Sequence, residues 1–162
     1  MKVNLIEVLP ENCAGCRLCE MVCSLRHEQE CSTTKSRIKI LQGKEWAFDF
    51  PLLCIQCAEA PCIKSCPNEA LYRNEATGIV VVDAACSGCG ECLTVCPVHA
   101  LGLEEDKGII FKCDQCGGDP ECVKSCPREV LVLKEVDIDS TTRKSYLEKA
   151  SNVLKIYETI SN

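Results

Sequence analysis

The chain has 162 residues, a formal charge of −6, 46% apolar residues with only 4% aromatics, and 17 cysteines. Its length suits one compact unit or two small lobes, its acidity disfavours a nucleic-acid partner, and no apolar run reaches the ~20 residues of a membrane helix. The cysteines inflate the apolar fraction, so the aliphatic core is thin and cross-links of another kind are needed to hold the fold.

Taken in chain order, Met1-Lys2-Val3-Asn4-Leu5 shows no secretory signal, which makes the cytoplasm the expected compartment and argues against a disulfide framework. The first cysteine run is Cys13-x2-Cys16-x2-Cys19-x3-Cys23, followed by Ser24. Beyond it, Ser36-Arg37-Ile38-Lys39-Ile40 and Trp46-Ala47-Phe48-Asp49-Phe50 alternate like half-buried strands. Cys31, in the same stretch, lies outside every run and reads as a small buried apolar residue.

The second run is Cys54-x2-Cys57-x4-Cys62-x3-Cys66-Pro67, the third Cys86-x2-Cys89-x2-Cys92-x3-Cys96-Pro97, and the fourth Cys113-x2-Cys116-x5-Cys122-x3-Cys126-Pro127. After them come Asn68-Glu69-Ala70-Leu71, Val98-His99-Ala100-Leu101 and Arg128-Glu129-Val130-Leu131, which propensity predicts as short helical turns. Gly78 to Val82 and Gly108 to Phe111 read as hairpin strands. From Ser140, the residues Tyr146, Leu147, Ala150, Val153, Leu154, Tyr157 and Ile160 recur at three- and four-residue steps, one face of an amphipathic helix. Asp139 or Ser140 supplies its N-cap, and the helix either packs on its own body or docks a partner subunit.

Each run has the bacterial ferredoxin spacing or a slight expansion of it, in which three cysteines hold one iron–sulfur cube and the fourth reaches a neighbouring one. Three cysteines within one tight turn wrap three corners of a cube with backbone N–H groups aimed at its sulfurs. The proline after Cys66, Cys96 and Cys126 stops that turn from continuing as helix. Sixteen thiolates at four per cube give four [4Fe–4S] clusters. Zinc sites take four ligands as two C-x2-C pairs across a longer spacer; here three or four cysteines crowd together and the Cys-Pro step recurs. An oxidised cube with four thiolates carries about −2, so four of them bring the charge to about −14 and favour partners with basic patches. Folding is expected to be coupled to cluster insertion.

The runs also repeat. Cys54-Ile55-Gln56-Cys57 followed by Pro61-Cys62-Ile63-Lys64-Ser65-Cys66-Pro67 returns as Cys113-Asp114-Gln115-Cys116 followed by Pro120-Glu121-Cys122-Val123-Lys124-Ser125-Cys126-Pro127, and Cys13-Ala14-Gly15-Cys16 returns as Cys86-Ser87-Gly88-Cys89. Short and long runs alternate as though a two-run unit had been duplicated. The expected fold is α+β: two interleaved ferredoxin-like modules with short helices and hairpins in a 1–138 body, and a C-terminal amphipathic helix over 139–162. His27 and His99 each follow a cluster ligand by a few residues and read as surface or packing residues. No nucleophile triad, phosphate loop or paired catalytic carboxylates stand out.

All sixteen run positions match those of the four-cluster electron-transfer subunits of molybdenum and tungsten oxidoreductases, some hydrogenases and carbon monoxide dehydrogenases, which the chain resembles over roughly Met1 to Leu133. The opening Cys13-Ala14-Gly15-Cys16-Arg17-Leu18-Cys19-Glu20, with Cys23-Ser24, His27-Glu28 and Ser36-Arg37-Ile38, is most similar to the small ferredoxin subunits of aldehyde ferredoxin oxidoreductase-type tungsten enzymes, including aldehyde oxidoreductases and benzoyl-CoA reductases. The resemblance implies Cys13, Cys16, Cys19 and Cys126 on one cube and Cys113, Cys116, Cys122 and Cys23 on its neighbour. It likewise implies Cys54, Cys57, Cys62 with Cys96, and Cys86, Cys89, Cys92 with Cys66. Spacing alone leaves open the other pairing, runs one with two and three with four.

The resemblance further implies a chain that relays single electrons and is not an enzyme alone. Its partners would be a large catalytic subunit with a tungsten- or molybdenum-pterin site and, beyond that, a flavoprotein subunit or soluble ferredoxin. The alternatives are a subunit of a hydrogenase, formate or carbon monoxide dehydrogenase, a free-standing polyferredoxin that purifies alone, and a colourless zinc-binding module.

Overall fold

In the computed structural model, residues 2–42, 49–138 and 141–161 are described. Trp46, Ala47 and Phe48 of the expected second strand, and the capping candidates Asp139 and Ser140, lie outside the described residues, as do the side chains of Tyr157 and Ile160.

In chain order the elements are β1 (Lys2–Val8), α1 (Leu18–Glu28), β2 (Lys39–Leu41), β3 (Phe50–Leu52), α2 (Pro61–Lys64), β4 (Leu71–Arg73), β5 (Val80–Val82), α3 (Glu91–Thr94), β6 (Leu101–Glu104), β7 (Ile109–Lys112), α4 (Glu121–Lys124), β8 (Leu131–Asp137) and α5 (Thr141–Ser161). All strand pairs are antiparallel and two-stranded: β1 with β8, β2 with β3, β4 with β5, β6 with β7. Two-stranded ribbons are marginal by themselves in water, so this fold depends on what its loops hold. Among the described residues no helix is long and apolar enough to cross a membrane.

The short helices sit between the third and fourth cysteines of runs two to four, one turn earlier than propensity predicts. The segments expected to be helical turns are instead tight turns into strands, and Leu71, Leu101 and Leu131 are strand residues. The reason is local. Proline ends each helix, and three residues after the last cysteine the chain passes through left-handed backbone at Glu69 (φ 51°), His99 (φ 48°) and Glu129 (φ 51°). Each closes a turn by donating its N–H to the carbonyl of Cys66, Cys96 or Cys126. Run one lacks the proline, and there the helix continues. The 11-residue α1 carries both Cys19 and Cys23. Ser24 is fully buried, donating to Met21 O at 3.0 Å and accepting the Ser32 N–H at 2.9 Å.

The topology makes two modules. In the first, α1 contacts α4, and β1 pairs β8 in register from Lys2 opposite Asp137 to Val8 opposite Leu131. In the second, α2 contacts α3 and the β4–β5 and β6–β7 hairpins meet through β5 and β7. The larger core gathers Ile6, Val8, Ile38, Ile40, Phe50, Leu53 and Ile55 with Tyr146, Ala150 and Val153 of α5. Burying such a side chain contributes about 1.5–3 kcal/mol. A smaller core holds Ala60, Leu71, Val80, Ile110 and Cys92.

The α5 face packs on its own body, as the first of its two expected roles requires. The Tyr146 ring stacks on Phe50 with centroids 5.7 Å apart. Its hydroxyl accepts the Leu53 N–H at 3.0 Å and donates to Pro51 O at 3.1 Å. Cys31 is exposed, contrary to the expectation of burial: it follows the left-handed Gln29 that ends α1, in a surface loop of Ser, Thr and Lys.

Candidate functional site

Three quartets of thiols each line a cavity. Cys13, Cys16, Cys19 and Cys126 line one cavity, walled by Ile40, Pro51 and Leu131. Cys23, Cys113, Cys116 and Cys122 line a second, walled by Ile38 and Leu53. Cys54, Cys57, Cys62 and Cys96 line a third, walled by Ala60, Val80 and Val98. Cys66, Cys86 and Cys92 pack around the smaller core, with Cys89 exposed beside them. Asn68, just past Cys66, ties the end of run two to the start of run three by donating to Ser87 Oγ at 2.8 Å and Ala85 O at 3.3 Å. The chain therefore brings run one together with run four and run two with run three.

Local geometry explains how each loop presents sulfur. Left-handed backbone at Arg17, Gln56 and Gln115 turns the chain between neighbouring cysteines. Backbone N–H groups point at sulfur: Arg37 to Cys23 at 3.4 Å, Gln56 to Cys54 at 3.4 Å, Ala100 to Cys96 at 3.3 Å, Ile110 to Cys86 at 3.4 Å and Val130 to Cys126 at 3.4 Å. Gly88 has φ +68° and so close an approach to Gly108 that a Cβ would lie 2.3 Å from the Gly108 carbonyl oxygen.

Burial first pushes the thiols up, with Glu20 next at Cys19 and a neighbouring cysteine next at the others: Cys19 to about 12, Cys113 to about 12, Cys57 to about 11 and Cys92 to about 11. Cys122 is raised by burial and then by Cys113, Cys23 and Cys116. Four thiols this close lose their protons together only if positive charge takes their place, which is what a metal centre supplies. A dry wall of aliphatic side chains around soft sulfur donors fits iron–sulfur chemistry.

Around the second cavity stand residues whose part the sequence did not disclose. His27 Nε2 lies 3.7 Å from Cys116 Sγ and 3.5 Å from Asp114 Oδ1; burial and then the Arg37 charge lower its pKa. His27, Asp114 and Cys116 form a possible metal triad, but Cys116 already lines the second cavity, so the triad is that cavity's rim. Arg37 pairs with Asp114 at 3.1 Å. His99 is exposed. Gln56, fully buried, donates to Cys113 O at 2.9 Å and accepts the Val80 N–H at 2.8 Å. The repeated Cys-x-Gln-Cys of runs two and four was the available signal for it: Gln115 is equally buried and donates to Asn4 O at 2.9 Å.

The sequence model of the 4Fe-4S dicluster domain matches residues 44–136, over half the chain, and a 4Fe-4S binding domain matches residues 10–33. The chain belongs to the 4Fe-4S dicluster domain family. It is thus a 4Fe-4S protein of ferredoxin-like α+β fold that carries more than one cluster. It is 42% identical over 86 residues to the polyferredoxin-like subunit of an aliphatic sulfonate oxidoreductase from Pyrococcus furiosus, covering 52% of this chain and 49% of that one. It is 34% identical over 84 residues to the electron transport protein HydN of Escherichia coli K12, covering 48% and 46%. This 4Fe-4S dicluster protein spans about half the length of the curated relatives it matches. A solved structure of the benzoyl coenzyme A reductase active-site complex BamBC with benzoyl-CoA matches in fold, with TM-score 0.52 and 23% identity, covering 100% of this chain and 99% of that one.

Proposed function

We propose that the chain is the electron-transfer subunit of an oxidoreductase, with the sixteen run cysteines as ligands of four [4Fe–4S] clusters and catalysis on another polypeptide. The ligand sets are Cys13, Cys16, Cys19 and Cys126; Cys113, Cys116, Cys122 and Cys23; Cys54, Cys57, Cys62 and Cys96; and Cys86, Cys89, Cys92 and Cys66. Such clusters supply one-electron redox centres, and a row of them supplies a relay.

The observation that carries this reading is the order of the quartets. Helix α1, with Cys19 and Cys23, lies against α4, with Cys122; Gln56, between Cys54 and Cys57, donates to Cys113 O at 2.9 Å; and α2, with Cys62, lies against α3, with Cys92. These contacts support a single file of sites in the order run one, run four, run two, run three. Cys16 at one end and Cys89 at the other are exposed. Between them Phe50, Leu53, Val80 and Val98 exclude water from the inner pair. In this reading the 1–138 body holds the file and the 139–162 helix braces it through Tyr146.

The partner is a catalytic oxidoreductase subunit, of the tungsten- or molybdenum-pterin class. The subunit name of the Pyrococcus furiosus relative and the fold likeness to BamBC support it. The expected compartment is the cytoplasm, where thiols stay reduced. Anaerobic purification from native cells with whatever adheres tests the reading. About sixteen irons per chain, with a large partner carrying tungsten or molybdenum, is the expected result. Iron without a partner gives a free carrier, and zinc in place of iron rejects the function.

A further inference from the structure

Lys112 ends β7 with only 2% of its surface exposed. Its ammonium donates to the carbonyl oxygens of Val80 and Cys113, and among the described residues no carboxylate pairs with it. Two carbonyls take two of its three N–H donors and leave its charge unanswered, an expensive state for a buried ion. The partly buried Arg37 is placed differently. Arg37, at the second cavity, has Asp114 at 3.1 Å and Glu28 at 4.0 Å.

The surroundings of Lys112 name the missing counter-charge. The side chain lines the third cavity with Cys54, Cys57, Cys62 and Cys96, and its own carbonyl is bonded to Cys113 of the second. Its charge lowers the pKa of both Cys62 and Cys113 against the larger raising effect of burial. The other runs have no cation at this place: the residues before their first cysteines are Asn12, Leu53 and Ala85.

We propose that Lys112 is the fixed counter-charge of the two inner clusters, set between their cysteine cages to raise their reduction potentials relative to those of the outer two. The proposal rests on the ligand sets given above. Adding an electron makes a thiolate-bound cluster more negative, so a desolvated cation beside it stabilises the reduced form more than the oxidised one. Because the ammonium is buried, bulk salt does not screen this effect as it screens surface charges. Lys112 is a positioning residue of electrostatic kind and touches no substrate.

The test is a reductive titration, followed by electron paramagnetic resonance, of the anaerobically purified holoprotein, its Lys112→Met and Lys112→Arg variants, with iron counted in each. Lys112→Met should keep wild-type iron while two of its four potentials fall, by about a tenfold change in the reduced-to-oxidised ratio at fixed poise, ~59 mV for one electron. Lys112→Arg should keep wild-type values. Four unchanged potentials, an equal fall in all four, or an Arg variant that falls as far as the Met one would each overturn the proposal. If the Met variant loses iron, Lys112→Gln is titrated in its place. Iron loss by Met and Gln but not by Arg sustains the need for charge, whereas loss by all three assigns the residue to packing and overturns it. A wild-type protein without iron would reject the cluster reading itself, so the two failures are distinct.

Discussion

Gln56 reaches from run two to Cys113 of run four: its Nε2 donates to the Cys113 carbonyl at 2.9 Å while its Oε1 accepts the Val80 N–H at 2.8 Å. One fully buried side chain thus joins three segments that are far apart in sequence. Among the described residues, the side chain of its repeat partner Gln115 makes a single bond, to Asn4 O, and its Oε1 is buried without a partner.

That asymmetry predicts unequal costs. Gln56→Ala strands the Val80 N–H in the core and should cost about 2–3 kcal/mol, whereas Gln115→Ala removes one bond and an already unpaired oxygen and should cost about 1 kcal/mol. Thermal bleaching of cluster absorbance ranks the two. Gln115→Ala proving the less stable would contradict the bonding described here.

The glycines of the cysteine loops divide similarly. Gly88→Ala drives a Cβ to 2.3 Å from the Gly108 carbonyl oxygen at φ +68°, and neither backbone can yield without moving Cys86 or Cys89. About four of sixteen irons should be lost. Gly117→Ala, at φ +73° with nothing within 4 Å, should cost only about 1 kcal/mol of backbone strain and keep all iron. Iron analysis of both variants decides.

For α5, Tyr146→Phe keeps the stacking on Phe50 but leaves the Leu53 N–H and Pro51 carbonyl without their buried partner. A loss of about 1–3 kcal/mol with full iron content is expected. Removing residues 140–162 exposes Phe50, on which Tyr146 stacks, and Leu53 in the wall of the second cavity, and should cost clusters as well as stability. A truncated protein with all its iron would show that the helix is not part of the body's packing.

Much of this site was legible because metal chemistry writes itself into spacing. Sixteen ligand candidates, the hairpins from Gly78 and Gly108, and the amphipathic face of α5 all follow from local patterns. What was not legible is non-local or depends on sign of φ. Propensity favours helix at Asn68 to Leu71, yet the left-handed Glu69 and its bond to Cys66 O turn the chain into a strand. The approach of run one to run four accompanies β1 meeting β8, a contact across the whole body that no window of sequence contains. Lys112 carries no local signal of its burial, which the fold alone imposes.

The cysteines themselves give a fourth comparison. Cys89→Ala should remove one cluster, about four of sixteen irons, and halt electron flow to the physiological acceptor. Cys31→Ser, at an exposed position outside the quartets, should leave iron and electron flow unchanged. Metal analysis with a dye-reduction assay reads both. A loss of iron on replacing Cys31 would place it among the ligands.

The pairing of β1 with β8 has a consequence for synthesis. A ribosome makes Cys13, Cys16 and Cys19 first, yet their fourth partner, Cys126, is over a hundred residues downstream. The sets Cys66, Cys86, Cys89 and Cys92, then Cys54, Cys57, Cys62 and Cys96, are complete far sooner. Metallation of the nascent chain should therefore begin at the end marked by Cys89 and finish at the end marked by Cys16, leaving the earliest thiols waiting longest for iron and most in need of protection from oxygen.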